Sequence, residues 1–242
     1  MRRSVLIIAV VALPVSIAAF VGPAYRNGPT PARSLFLHQD FESGTLSDWD
    51  MPHPEDWEIR AEDGLHHLHM VRPRDPGVPR RPLQFARLKN VRVGSFDLRV
   101  RVRRTGRSMI VVFNYVDTLH FYYVHLSHDP GTAVAVHNGI FIVNGAPRRR
   151  ITGELAPPAL PDHSWHLVHI VRDVRSGSVK VFMDQQSHPL FSAVDRTFAC
   201  GQIGLGSFDE TGDFAQFQLS STDVGCSTSQ AGKRALPMRN AK

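Results

Sequence analysis

The stretch Ser108-Met-Ile-Val-Val-Phe-Asn-Tyr-Val-Asp-Thr-Leu-His-Phe-Tyr-Tyr-Val-His-Leu-Ser127 decides the fold. It is dense in Val, Phe and Tyr, which suit a pleated, half-buried surface, and reads as two strands joined at Val116-Asp117-Thr118-Leu119. Placing Tyr115 opposite His120 sets Phe113 against Tyr122, Val111 against Val124 and Met109 against Leu126. These side chains share one large, mostly apolar face that belongs on a core. The other face carries Ile110, Val112, Asn114, Phe121, Tyr123 and His125, a mixture of rings and hydrogen-bonding groups that suits a half-open groove. Side chains alternate with period two, so a one-residue slip would exchange the faces, and the register rests on the turn.

Moving outward, Phe96-Asp-Leu-Arg-Val-Arg-Val-Arg103 gives the cleanest alternation in the chain, with Phe96, Leu98, Val100 and Val102 on a buried face. Strands are also read at 35–41, 57–60, 64–70, 83–88, 165–172, 179–183, 202–206 and 214–219. Asn138-Gly139 between 132–137 and 140–143 predicts a hairpin, because a type I′ turn needs positive φ at both central residues. Asn144-Gly145 repeats that signal. Four prolines within 72–82 mark an irregular excursion over the surface. No stretch keeps a helical period. Many short strands separated by turn chemistry predict an all-β, two-sheet antiparallel sandwich over 35–222.

The N-terminus, Met1-Arg2-Arg3 followed by an apolar run from Val5 to Val21 and then Gly22-Pro23-Ala24, reads as a secretory signal over 1–24. The alternative is an uncleaved N-terminal anchor, the chain's one expected route to a membrane. Either way the expected location is secreted, periplasmic or cell-surface. No Cys follows the run, which excludes a bacterial lipoprotein anchor. Residues 25–34 read as a linker and 223–242 as a disordered basic tail. In an oxidising compartment Cys200 and Cys226 can pair as a disulfide; the alternative is two thiols.

The formal net charge is +6, but its distribution matters more. Between Arg72 and Arg107, twelve Arg or Lys stand against only Asp75 and Asp97. Such a segment can steer anionic polysaccharide, lipid headgroups or nucleic acid, or it can be a solvated strand face. Export argues against nucleic acid.

The order of several motifs resembles a family. Asp40-Phe-Glu-Ser-Gly-Thr-Leu-Ser-Asp-Trp49, the central pair 112–126, Trp165-His166, Val179-Lys-Val-Phe-Met-Asp184 and Gly201-Gln-Ile-Gly-Leu-Gly206 with 214–219 together resemble bacterial concanavalin A-like domains (laminin G-like, 3-keto-disaccharide hydrolase-like). The resemblance covers roughly 35–220 and implies a jelly roll whose concave sheet binds sugar, in some members with a structural calcium ion. It does not fix an activity, since this fold hosts lectins, binding modules, glycosidases and adhesion domains. The chain departs from the pattern at Ala215 and Gln216, where members often carry acids, and at Asp184-Gln185, where Asp-Gly is usual.

Catalytic motifs are scarce. Glucanases of this fold place three carboxylates on one strand face as E-x-D-x-x-E, and the six Glu residues (42, 55, 58, 62, 154 and 210) follow no such spacing. There is no G-x-S-x-G nucleophile elbow. His67 and His69 share a strand face, but zinc needs three or four converging ligands. Asp40, Glu42 and Asp213 are the candidate ligands for calcium, as hard oxygen donors near the first and last strands; no other cofactor is expected. For a glycan, Asn114, Tyr123 and His125 are the candidate binding residues, joined by Arg99 and Arg101 if their strand lies beside 109–116. Aromatic planes cover sugar C–H faces, amides and imidazoles meet hydroxyls, and Arg can grip a uronate or sulfate. The alternative is that this face is solvated or covered by 72–82. The expected function is non-catalytic binding of a carbohydrate or cell-surface glycan. The alternatives are a glycoside hydrolase and a protein-adhesion domain.

Overall fold

The computed structural model describes residues 34–129, 134–153 and 155–225. The segment 1–24, the linker up to 33, Glu154, Cys226 and the tail beyond it lie outside the described residues. Among the described residues no helix is long and apolar enough to cross a membrane.

Fifteen strands form among the described residues, of which those at Trp49–Asp50 and Phe191–Val194 fall where the sequence pattern indicates none. They are β1 (Leu35–Gln39), β2 (Trp49–Asp50), β3 (Trp57–Glu62), β4 (Leu65–Met70), β5 (Gln84–Leu88), β6 (Phe96–Arg104), β7 (Ser108–Asp117), β8 (His120–Ser127), β9 (Gly139–Asn144), β10 (Arg149–Arg150), β11 (His166–Asp173), β12 (Ser178–Met183), β13 (Phe191–Val194), β14 (Gln202–Ser207) and β15 (Gly212–Ser221). One sheet has eight strands in the order β13-β12-β11-β6-β15-β4-β3, with β1 also on β15; the other has seven in the order β10-β9-β8-β7-β14-β5-β2. Every pairing is antiparallel, and the result is a jelly-roll sandwich. Burying one face of each sheet against the other places the inward side chains of both in a single core.

The central pair keeps most of its expected register. Phe113 opposes Tyr122, Val111 opposes Val124 and Met109 opposes Leu126, all inside the core, and the Phe113 and Tyr122 rings stack at 5.2 Å. The expected pairing of Tyr115 with His120 is wrong. Asp117 opposes His120 across a two-residue turn, and the surplus residues form a bulge between Phe113 and Asp117. Asn114 makes the bulge: its φ is +44°, a region Asn tolerates better than most residues, and its amide donates to the carbonyls of Val93 (2.9 Å) and Gly94 (3.3 Å). The Asp117 carboxylate closes the turn by accepting from the Leu119 amide at 2.8 Å.

The hairpin expected at 132–143 is absent. Val134–His137 is a single helical turn, α1, and β9 pairs with β8 instead. β9 pairs with β8 on one edge and with β10 on the other, which leaves it no edge for a strand formed just before it.

Asp213, on the outer face of β15, is buried and accepts from His69 Nδ1 (2.6 Å) and Arg103 Nε (2.7 Å). Burial pushes its carboxyl up, but the hydrogen bonds from His69 and Arg103 outweigh burial and hold it below the usual carboxylate range. Because the folded value lies below the unfolded one, the stabilisation is complete above about pH 4 and drains away as pH falls through the folded value. Asp213→Asn should therefore lower stability at neutral pH and flatten its decline in acid. Urea unfolding at several pH values between 7 and 3 measures this.

Candidate functional site

The outer face of the seven-stranded sheet is not the open groove that its composition suggests. Ile110, Val112, Phe121, Tyr123, Phe141 and Val143 are buried there with Phe85, Tyr115 and Phe208 in a second apolar cluster. The irregular segment after β4 runs across it as a strap. Arg81 Nε donates to the Thr118 carbonyl at 2.7 Å, and the Arg148 amide donates to the Arg80 carbonyl at 2.9 Å. Guanidinium groups lie on the rings beneath: Arg148 is 4.3 Å from the Phe208 centroid and 4.9 Å from Phe141, and Arg80 is 4.9 Å from Phe208.

Three of the sequence-derived binding residues are consequently beyond a ligand's reach. Tyr123 has 0% of its surface exposed, Asn114 0% and His125 1%. Arg148 Nη1 donates to Tyr123 Oη (3.0 Å) and His125 Nδ1 (3.1 Å). A guanidinium has no acceptor, so His125 Nδ1 must be a lone pair and Nε2 carries the proton, donated to Ser108 Oγ at 2.9 Å. His125 is therefore neutral. Burial first, and the positive charge of Arg148 second, hold its pKa well below the ordinary histidine value. A ring already protonated at Nε2 cannot take the Ser108 proton, so this buried pair is no nucleophile–base dyad.

Arg99 and Arg101 are exposed but lie elsewhere. Their strand β6 pairs with β11 and β15, not with β7, so they project from the outer face of the eight-stranded sheet, on the far side of the core. Arg101 Nε donates to Gln216 at 2.7 Å, Arg99 pairs with Asp97 at 3.4 Å, and His169 meets Asp97 at 2.8 Å. The five candidate residues do not form one site.

The calcium ligands are not brought together either. Gln39 at the end of β1 opposes Phe217, so Asp213 sits four strand residues further along, roughly 13 Å away. Asp213 is already occupied by His69 and Arg103, while Asp40 accepts from the Glu42 amide at 3.0 Å. Among the described residues the one cluster with metal-ligand geometry is His53, Glu55 and Asp56, and there Arg74 donates to Asp56 at 2.6 Å, supplying the positive charge. Cys200 is disulfide-bonded; Cys226, the chain's other cysteine, lies outside the described residues.

The same sheet opens at its other end. A pocket of about 80 Å³ is lined by Pro52, Pro82, Leu83, Phe85, Arg87, Tyr115 and Thr118. Tyr115 is turned into it by the Asn114 bulge, and its ring packs against Phe85 at 5.5 Å with the Arg87 guanidinium 4.7 Å above it. Arg87 is ion-paired with Asp50 on the neighbouring β2. The Tyr115 hydroxyl has no partner in the protein, and it is not sealed from solvent. Burial raises the Tyr115 pKa, so the hydroxyl keeps its proton and can both donate and accept. The exposed apolar side chain of Leu83 lines it. A neutral phenol and a guanidinium thus stand beside prolines and Leu83 in one small cleft, a composition that can meet the hydroxyls of a polyol. The one signal in the sequence was Asn114, a lone amide inside a β-branched run.

No protein-family model matches the sequence, and no curated protein matches it either. Solved structures do resemble the fold. A carbohydrate-binding module, CBM66, from Bacillus subtilis is 14% identical, with 72% of this chain and 96% of that one covered at a TM-score of 0.52. A protein of unknown function with a galectin-like fold from Bacillus subtilis is 10% identical, with 76% and 96% covered and a TM-score of 0.51. The GH43 protein BlXynB from Bacillus licheniformis is 14% identical over 75% of this chain but only 38% of its own, with a TM-score of 0.52. At such identities the likeness speaks for architecture alone, and it agrees with the sheet order and register above in giving this chain a two-sheet antiparallel jelly-roll fold.

Proposed function

We propose that this chain is an exported module that binds carbohydrate non-covalently, through the outer face of the seven-stranded sheet at the Tyr115 pocket. The observation that carries the reading is the presence in one cleft of Arg87 and of Tyr115, whose hydroxyl has no partner among the described residues. A sugar at the mouth of the cleft would pack against Pro82 and Leu83, while its hydroxyls reach in to the Tyr115 phenol and the Arg87 guanidinium. The carbohydrate-binding and galectin-like folds among similar structures support the same class of ligand. Export is supported by the basic-then-apolar start of the sequence and by the disulfide at Cys200.

A second reading, glycoside hydrolysis, has one observation in its favour: Asp50 and Asp117 are both close enough to Tyr115 to act on its ionisation. Their states oppose it. Asp50 is bound to Arg87, and hydrogen bonds from Leu119 and His120 outweigh burial to leave the Asp117 carboxyl below its usual range. A glycosidase needs one acid held protonated near neutrality, which requires the opposite shift.

The test is a panel of immobilised glycans followed by titration calorimetry on any hit. Tyr115→Phe and Arg87→Gln should each weaken binding about tenfold, a loss of about 1.4 kcal/mol, while Arg101→Gln on the other sheet changes nothing. Binding that ignores Tyr115 and Arg87 would refute the site. Release of reducing sugar from the bound glycan would move the assignment to the hydrolase.

A further inference from the structure

The two arginines over Phe208 keep guanidinium donors unspent. Arg80 and Arg148 are joined backbone to backbone by the 2.9 Å bond from the Arg148 amide to the Arg80 carbonyl. Their guanidinium carbons lie 4.9 and 4.3 Å from the same ring centroid. Most arginines of the basic stretch are matched: Arg72 and Arg74 with Asp56, Arg87 with Asp50, Arg99 with Asp97, Arg103 with Asp213 and Glu62, Arg107 with Asp129. Among the described residues neither Arg80 nor Arg148 has a carboxylate partner, and neither holds an interaction beyond those given. Arg148 spends only Nη1, on Tyr123 and His125. Its Nε and Nη2, three of the five guanidinium N–H groups, reach solvent without an acceptor. Arg80 is exposed and makes no hydrogen bond through its side chain.

Two guanidinium groups that share one ring, with unspent donors and no carboxylate partner among the described residues, offer an anion two positive groups at one place. We infer that Arg80 and Arg148 form an oxyanion site that takes the carboxylate or sulfate of an acidic polysaccharide. Two guanidinium forks match a trigonal or tetrahedral oxyanion, and the ring beneath orients them at little entropic cost. A chain of ring contacts runs from the Tyr115 pocket to this pair, through Phe85, Phe121, Tyr123, His125 and Phe208. Both sites therefore serve one face. The inference rests on reading that face as the glycan face, and it narrows the ligand to a charged one.

The experiment is calorimetric titration of the protein with oligogalacturonate and with heparin oligosaccharide, each beside its methyl-esterified or desulfated counterpart, and with sodium sulfate alone. At least one acidic oligosaccharide should bind tenfold or more tighter than its neutral counterpart, with an advantage that shrinks as salt rises. Arg80→Gln should erase that advantage without moving the melting temperature, because Arg80 is exposed. Arg148→Lys should reduce it, and Arg101→Gln, which removes the same charge from the other sheet, should leave it intact. Equal affinity for acidic and neutral partners, or indifference to Arg80→Gln, overturns the inference while leaving the binding function standing. If no oligosaccharide binds but sulfate does, in an Arg80-dependent way, the site takes free oxyanions and both the polysaccharide assignment and the proposed function fall. If nothing binds, both fail together.

Discussion

Arg172→Ala is expected to lower the unfolding free energy by about 3–5 kcal/mol, the range for breaking a buried charge network. Arg172 ends β11 on its core-facing side and is 2% exposed. Its guanidinium donates to the carbonyls of Gly177 (2.7 Å), Asp195 (3.0 Å) and Phe198 (3.1 Å) and lies 5.3 Å from the Tyr122 centroid. Tyr122 in turn donates to the Asp195 carboxylate and accepts from the Phe198 amide at 3.0 Å. Burial, and after it the Asp195 hydrogen bond, push the Tyr122 phenol up to about 12, so it remains a donor throughout the physiological range. One side chain thus satisfies three carbonyls and seals the end of the core between the sheets. Truncation leaves those carbonyls without donors and opens a void beside Tyr122. Guanidinium denaturation measures the loss. Arg172→Lys should recover only part of it, because a single ammonium cannot reach three carbonyls with the geometry of a planar fork.

Gly201→Ala is expected to destabilise by about 3 kcal/mol or more, at the upper end of overpacking effects. A Cβ there would lie 2.2 Å from the Asn114 carbonyl carbon and 2.4 Å from Tyr115 N and O. These are backbone atoms of the bulge, pinned by the Asn114 amide bonds to Val93 and Gly94. They cannot retreat as the tip of a flexible side chain would. The same substitution should disturb the Tyr115 pocket, since the bulge aims Tyr115. A thermal melt reads the first effect and glycan titration the second. A variant that keeps its stability would mean that the bulge yields easily and does not fix the site.

The fold was legible because period-two patterning is a local property. Phe96 to Arg103 and Met109 to Leu126 each announce a buried face within a few residues, and the structure keeps those faces. Partners in space are a different matter. Nothing local states that β6 pairs with β11 and β15 rather than β7, and that single fact moves Arg99 and Arg101 across the core from the other candidates. The choice between an open face and one covered by 72–82 is not legible locally for a related reason. An aromatic face with Asn, Tyr and His looks alike whether water or a strap covers it, and the strap at 71–83 arrives from a distant part of the chain. Asn114 was read as a ligand-binding amide, whereas its amide holds a bulge. A regular register puts Tyr115, one residue on, in the core between the sheets, and the bulge turns it instead to the cluster on the outer face. At 132–137 the Asn-Gly signal was real chemistry with no neighbouring strand to use it. Arg172 looked like the polar end of a strand, and its burial depends on three carbonyls from two other loops.

The most direct measurement is a titration of the isotopically labelled protein with its best-binding glycan, following aromatic and arginine side-chain resonances by NMR. The largest shifts are expected at Tyr115, Phe85 and Arg87, extending to Arg80 when the glycan is acidic, with Arg99, Arg101 and His169 unmoved. Shifts centred on Arg99, Arg101 and His169 would place the ligand on the eight-stranded sheet and contradict the assignment of the binding face.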